Sequence, residues 1–202
     1  MFLRCAAALQ LLILQLGGRP EHWGAAQEAT STVVEEVATG TDIRGDGAGW
    51  TTVRLGVVLQ GDAINVYTLY GNVDYPLEIP PAYQCATPFG ANIGGSSPAF
   101  FSVANNAALG FAEFDSWLTV GVTAGDDPTV LGTVGIDFDS WTETSSVTST
   151  DGAVFWLNPS DGPSSDVTVA QLTIPAGSSG AVSMGMQGQS TSGVGDPWLQ
   201  SA

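Results

Sequence analysis

Short apolar runs, separated by breaks rich in Asp, Gly and Pro, limit this chain to one fold class. From Thr51 to Leu59 the residues alternate, with Val53, Leu55, Val57 and Leu59 on one face and Thr52, Arg54 and Gly56 on the other. Successive side chains of an extended strand point to opposite faces, so this pattern predicts a half-buried strand. Further strands are predicted at Ala63 to Tyr70, Trp117 to Thr123, Val130 to Phe138, Val154 to Leu157, Val167 to Ile174 and Ala181 to Gln187. Between them stand Gly61-Asp62, Gly125-Asp126-Asp127-Pro128, Asp151-Gly152, Asp161-Gly162-Pro163 and Pro175-Ala176-Gly177. Asp tolerates left-handed backbone and Gly adopts it freely, which is why such groups close hairpins. The expected fold is all-β: an antiparallel sandwich, jelly-roll or cohesin-like, with about seven to nine strands. At most one short helix is expected, at Ala104 to Glu113. Proline cannot donate to a ladder, so the Pro-rich stretch from Leu77 to Pro98 reads as an ordered, irregular connection.

The beginning of the chain has the form of a secretory leader at residues 1–26. Arg4 stands in a short n-region, an apolar stretch runs from Cys5 to Leu16, and Gly24-Ala25-Ala26 supplies a cleavage site. The apolar stretch is shorter than the roughly 20 residues that a membrane span needs. Residues 27–49 are rich in Glu, Ala, Thr and Gly without sustained period, and read as a flexible linker. The domain is then expected to occupy 50–202, a secreted, extracellular or cell-surface module with no membrane insertion after cleavage. Cys5 leaves with the leader, so no disulfide framework is expected. Cys85 is left as a lone thiol, either a small buried hydrophobe or half of an intermolecular bridge.

Charge narrows the partners. The chain carries 20 acids against 4 arginines, no lysine, and a formal charge of −16. Arg4 and Arg19 belong to the leader, which leaves Arg44 and Arg54. Such a surface repels phosphate backbones, so no nucleic-acid partner is expected. The expected partners are polysaccharide or extracellular matrix proteins, with calcium as the candidate ion; the same acids would also serve simply to keep a protein soluble.

Inventory also limits the chemistry. His22, in the leader, is the only histidine, so Ser-His and Ser-Lys nucleophilic sites and multi-histidine zinc sites lack their components. Paired carboxylates are the remaining catalytic option, with Asp115, Asp137, Asp139 and Glu143 as candidates for a glycosidase-like acid and base. Acids are abundant throughout the chain, and the expectation is that the protein is not an enzyme.

Two binding chemistries stay open. Asp126, Asp127, Asp137, Asp139 and Asp151 offer oxygens near turns, the ligand type that calcium takes. Their alternative role is to cap turns and wet one side of a strand. The tetrapeptide Phe-Asp-Ser-Trp occurs twice, at Phe114 to Trp117 and at Phe138 to Trp141. Strand alternation puts Asp139 and Trp141 on the face opposite Phe138, and the same logic opposes Trp117 to Phe114. Trp117, Trp141, Asp115 and Asp139 are therefore the candidate carbohydrate ligands if the Phe residues face the core. The alternative buries both indoles as core filler.

The runs Pro80-Pro81-Ala82-Tyr83-Gln84, Pro88-Phe89-Gly90-Ala91-Asn92, Pro98-Ala99-Phe100-Phe101 and Phe114-Asp115-Ser116-Trp117-Leu118-Thr119-Val120-Gly121 carry a resemblance. With Gly135-Ile136-Asp137-Phe138-Asp139-Ser140-Trp141 and Val169-Ala170-Gln171-Leu172-Thr173, the stretch from Trp50 onward resembles an extracellular domain of large secreted algal proteins. That domain often recurs in tandem, with related forms in bacterial exported proteins, whereas this chain holds a single copy. The closing strands loosely resemble cohesin and carbohydrate-binding-module sandwiches. The resemblance implies a non-catalytic binding or structural module, with carbohydrate or matrix association first and a calcium-stabilised adhesion module as the alternative.

Overall fold

The computed structural model describes residues 13–15, 30–106, 108–125, 128–191 and 197–200. Apart from Ile13–Gln15, the expected leader lies outside the described residues. Numbered along the chain, β1 is Ile13–Gln15, β2 Thr30–Thr41, β3 Trp50–Leu59, β4 Thr68–Tyr70 and β5 Leu77–Ile79. The two-residue strands β6 (Asn105–Asn106), β7 (Gly110–Phe111) and β8 (Trp117–Leu118) follow, then β9 at Leu131–Val134, β10 at Val147–Ser149 and β11 at Ala153–Trp156. The last four are β12 (Asp166–Pro175), β13 (Ala181–Ser183), β14 (Gly185–Gln189) and β15 (Pro197–Gln200). The fold is an all-β sandwich of largely antiparallel sheets, ordered β2-β3-β12-β8, β15-β14-β4-β11-β9 and β1-β13-β5-β10. β1 is the parallel exception, beside β13.

The alternation from Thr51 to Leu59 has its expected result. Val53, Leu55 and Val57 of β3 enter one core with Leu69 of β4, Leu77 and Ile79 of β5, and Val154 of β11. Leu172 of β12 and Val182 of β13 join them, so all three larger sheets turn apolar faces to the same interior. At about 25 cal/mol per Å² of apolar area, this shared burial is the main force holding the sheets together.

Three expectations about local structure are corrected. Residues 30–41, expected within a flexible linker, form β2, paired with β3 from Thr30 opposite Leu59 to Thr41 opposite Trp50 with two register shifts. Most β2 side chains face solvent, so the strand leaves no alternation in its composition; its order comes from backbone pairing to β3. The folded unit therefore includes residues expected to precede it. The helix expected at Ala104 to Glu113 is a single turn at Phe101–Ala104, followed by the β6–β7 hairpin. Asn106 explains the shift, because its Oδ1 accepts the N–H groups of Ala108 and Leu109 and so closes a turn that competes with helix. The strand expected from Ala181 to Gln187 breaks at Met184 into β13 and β14, which belong to different sheets. Such breaks raise the strand number above the seven to nine expected, with fifteen among the described residues.

Because β2 covers an edge of β3, a chain starting at Trp50 should lose more than a tail. An unpaired edge beside an apolar row is a template for association. Compared with a chain starting at Gln27, the shorter form is expected to melt about 5 °C lower or more and to self-associate in size-exclusion chromatography. Equal melting and monomeric elution of both forms would make β2 dispensable.

Candidate functional site

β12 is buried on both faces from Val169 to Ile174, which is unusual for a strand of a two-layer sandwich. One face meets the main core; the other is covered by the connection from about Pro80 to Ser116. Buried polar side chains join them. Gln171 Nε2 donates to the carbonyls of Glu113 and Asp115 at 3.0 and 2.8 Å, and Ser116 Oγ accepts the Thr173 N–H at 3.0 Å. The Tyr83 N–H donates to the Thr173 carbonyl at 2.8 Å. Under this cover lies a second, smaller core of Ile43, Trp50, Tyr83, Cys85, Ala104 and Ala112, with Phe89, Phe101, Phe111 and Phe114 packed around it.

Asp115 ties the covering segment together. Its residue is 1 % exposed, and its carboxylate accepts the N–H groups of Cys85 (2.8 Å) and Ala91 (2.6 Å) and the hydroxyl of Ser96 (3.0 Å). Burial nevertheless outweighs these donors and pushes its pKa up to about 6. Gly90 is required beside it, since a Cβ there would stand 2.0 Å from the Cys85 carbonyl oxygen. The Cys85 thiol is itself buried, and burial together with the neighbouring Asp115 raises its pKa to about 11. That is the environment of an unreactive, packed thiol.

Above the second core opens a cleft of about 340 Å³ lined by Arg44, Tyr83, Gln84, Thr87, Phe89 and Leu109 among others. Arg44 arrives on a loop whose turn is set by Asp42, which accepts the N–H groups of Gly45, Asp46 and Gly47 at 2.7, 3.1 and 3.0 Å. The Arg44 guanidinium lies 5.8 Å from the Tyr83 ring centroid and pairs with Glu143. Tyr83 is held from the other side, with its hydroxyl accepting the Phe111 N–H at 3.0 Å and Trp50 edge-on to its ring at 6.0 Å. Phe89 and the exposed Leu109 add apolar surface. No family model, curated protein or solved structure matches this chain. What the site can bind must therefore be argued from its own side chains.

None of the sugar-contact candidates read from the sequence lines this cleft. Trp117 is 1 % exposed and Trp141 2 %, so neither indole offers a face to a sugar. The two copies of Phe-Asp-Ser-Trp do not share one strand geometry: only Trp117, at the start of β8, lies on a strand. Phe138–Ser140 is a 3-10 turn, and Ala112–Phe114 is another that ends at the first copy. Residues three apart eclipse in a 3-10 turn, which brings Trp141 to the core side together with the half-buried Phe138 and leaves Asp139 outward. The Trp141 Nε1–H donates to the Pro80 carbonyl at 2.9 Å. Trp117 lies beneath Arg54, whose guanidinium is 5.8 Å from its ring. Asp115 and Asp139, equivalent in sequence, are an interior anchor and a solvent-facing carboxylate.

Among the metal candidates, Asp126 and Asp127 lie outside the described residues. Asp137, Asp139 and Asp151 are exposed, and among the described residues no three His, Cys, Asp or Glu side chains come together as a metal-holding group. Of the carboxylates considered for acid–base work, Asp115 is sealed behind Cys85, and Glu143 pairs with Arg44 at the cleft. Sequence reasoning did not single out Arg44, Gln84 and Leu109, which line the candidate cleft. Scarcity was the available signal: in so acidic a chain, Arg44 is one of only two arginines after the expected leader.

Proposed function

We propose that the protein is a non-catalytic extracellular binding module that associates with carbohydrate or a carbohydrate-bearing matrix through the cleft at Arg44, Gln84, Phe89 and Leu109. The observation that carries this reading is the cleft's composition: a cation, an amide and a hydroxyl beside an aromatic ring and an aliphatic side chain. Carbohydrates present hydroxyls and C–H faces together, and ligand sites generally combine an apolar lining with a few placed polar groups. The β12 hydrogen bonds and the Asp115 anchor hold the covering segment in place, which limits the ordering cost of binding. The leader-like beginning of the chain and its acidic composition support an extracellular setting.

A glycan array followed by calorimetric titration tests the reading. Ala108 lines the cleft and is exposed, so Ala108→Trp should fill it without disturbing either core. Binding is expected to fall at least about tenfold, the equivalent of 1.4 kcal/mol, with an unchanged unfolding midpoint. Undiminished binding by Ala108→Trp would move the site elsewhere, and an array without signal would remove the carbohydrate reading.

A further inference from the structure

At the wall of the cleft and beneath it, side-chain donors outnumber the acceptors that meet them. Among the described residues, two buried side-chain donors have no hydrogen-bond partner, Gln84 Nε2 and Trp50 Nε1. Gln84 lines the cleft, and Trp50 belongs to the small core beneath it, edge-on to Tyr83. A buried donor without an acceptor is costly, and native structures rarely leave one without a reason. Arg44, which has no acceptor capacity, adds its guanidinium to the same cleft. In the free protein its charge is met by Glu143, a carboxylate from a distant part of the chain.

From this imbalance we infer that the unit bound in the cleft is an acidic sugar, a uronate whose carboxylate pairs with Arg44 and, once the Gln84 side chain turns its buried amide into the cleft, accepts from Gln84 Nε2. The inference rests on the carbohydrate reading above and adds its chemical class. A carboxylate supplies anionic acceptors that match guanidinium geometry, and Glu143 already shows that Arg44 is placed to receive one. The sugar ring supplies hydroxyls for Thr87 and C–H surface for Phe89 and Leu109. The cleft volume, about 340 Å³, lies at the small end of ligand pockets, and the chain's formal charge of −16 repels extended polyanions. The preferred ligand is thus an isolated or terminal uronate on an otherwise neutral glycan.

Calorimetric titration of the full chain with a uronate-terminated disaccharide, its methyl ester and the neutral hexose disaccharide tests this. The acid is expected to bind about tenfold or more tightly than the ester, and Arg44→Ala to erase that difference. Gln84→Leu should weaken acid binding while leaving the unfolding midpoint unchanged or higher, because its buried amide donor has no partner to lose. Glu143→Gln removes the internal competitor and should tighten acid binding by roughly two- to fivefold. Equal affinity for the three disaccharides would overturn the uronate assignment and leave the carbohydrate reading standing. Acetylated glutamate binding as tightly as the uronate would overturn the sugar assignment. No binding of any saccharide, here or on the array, would overturn both.

Discussion

Replacing Trp141 by alanine is expected to destabilise the protein by about 3–5 kcal/mol, the range for removing a fully buried indole. The side chain is 2 % exposed, packs in the main core, and satisfies its Nε1–H on the Pro80 carbonyl at 2.9 Å. Truncation removes core contacts and leaves a cavity together with a carbonyl that has lost its donor. A domain of ordinary stability, about 5–15 kcal/mol, would lose a large share of it. Urea unfolding followed by intrinsic fluorescence measures the effect, with Trp156 and the other indoles still reporting. A loss below about 1 kcal/mol would mean that the indole is on the surface, and would return Trp141 to the list of sugar contacts.

Asp115→Ala should produce the second large effect, and it should depend on pH. The folded-state pKa of Asp115, about 6, is above its ordinary value of 3.8, because burial disfavours the charged form. The folded protein thus holds this proton more tightly than the unfolded chain. The stability linked to it is fully present below about pH 4 and is lost as pH rises through 6. A carboxyl held that far above its ordinary value contributes something on the order of 3 kcal/mol. Removing the carboxylate orphans the N–H groups of Cys85 and Ala91 and the hydroxyl of Ser96. At roughly 1–3 kcal/mol for each unsatisfied buried donor, the variant should be clearly less stable at pH 4. That gap should narrow toward pH 7, as the parent alone loses the Asp115 contribution. Other carboxylates titrate in both proteins, so the difference between their stability curves isolates this group. Parallel curves from pH 4 to 7 would show that Asp115 does not titrate in this window.

Where one face of a strand is buried and the other wet, the alternation was enough to find it, as in β3. Strands ordered by their neighbours were harder to read. β2 carries Val33, Glu35, Glu36 and Val37 with no clean period, and only β3 beside it makes it a strand. The tetrapeptide repeats misled for a related reason, since the second copy is a 3-10 turn with period three while the first leaves such a turn and enters β8, and nothing in four residues reveals which. Identical sequence then produced opposite fates for Asp115 and Asp139, because the first sits under the 83–96 segment and the second does not. The candidate site was the least legible feature. Arg44, Gln84, Leu109 and Glu143 come from separate stretches, and only the packing of the covering segment on β12 brings them together.

The β3–β12 ladder also constrains how this protein reaches its native state. Thr52 and Thr173 share a hydroxyl hydrogen bond across 121 residues of sequence. The β2–β3 hairpin, by contrast, joins Thr39 to Thr51 over only 12. Closing the longer loop costs chain entropy before any contact repays it, and chains dominated by such remote pairings fold slowly. During synthesis the hairpin emerges early, and Val53, Leu55 and Val57 are displayed on β3 long before β12 appears in the last quarter of the chain to pair with that strand. For that interval the nascent chain exposes apolar surface of the kind that promotes aggregation, and the exposed carboxylates of Glu35 and Glu36 along β2 place like charge beside it.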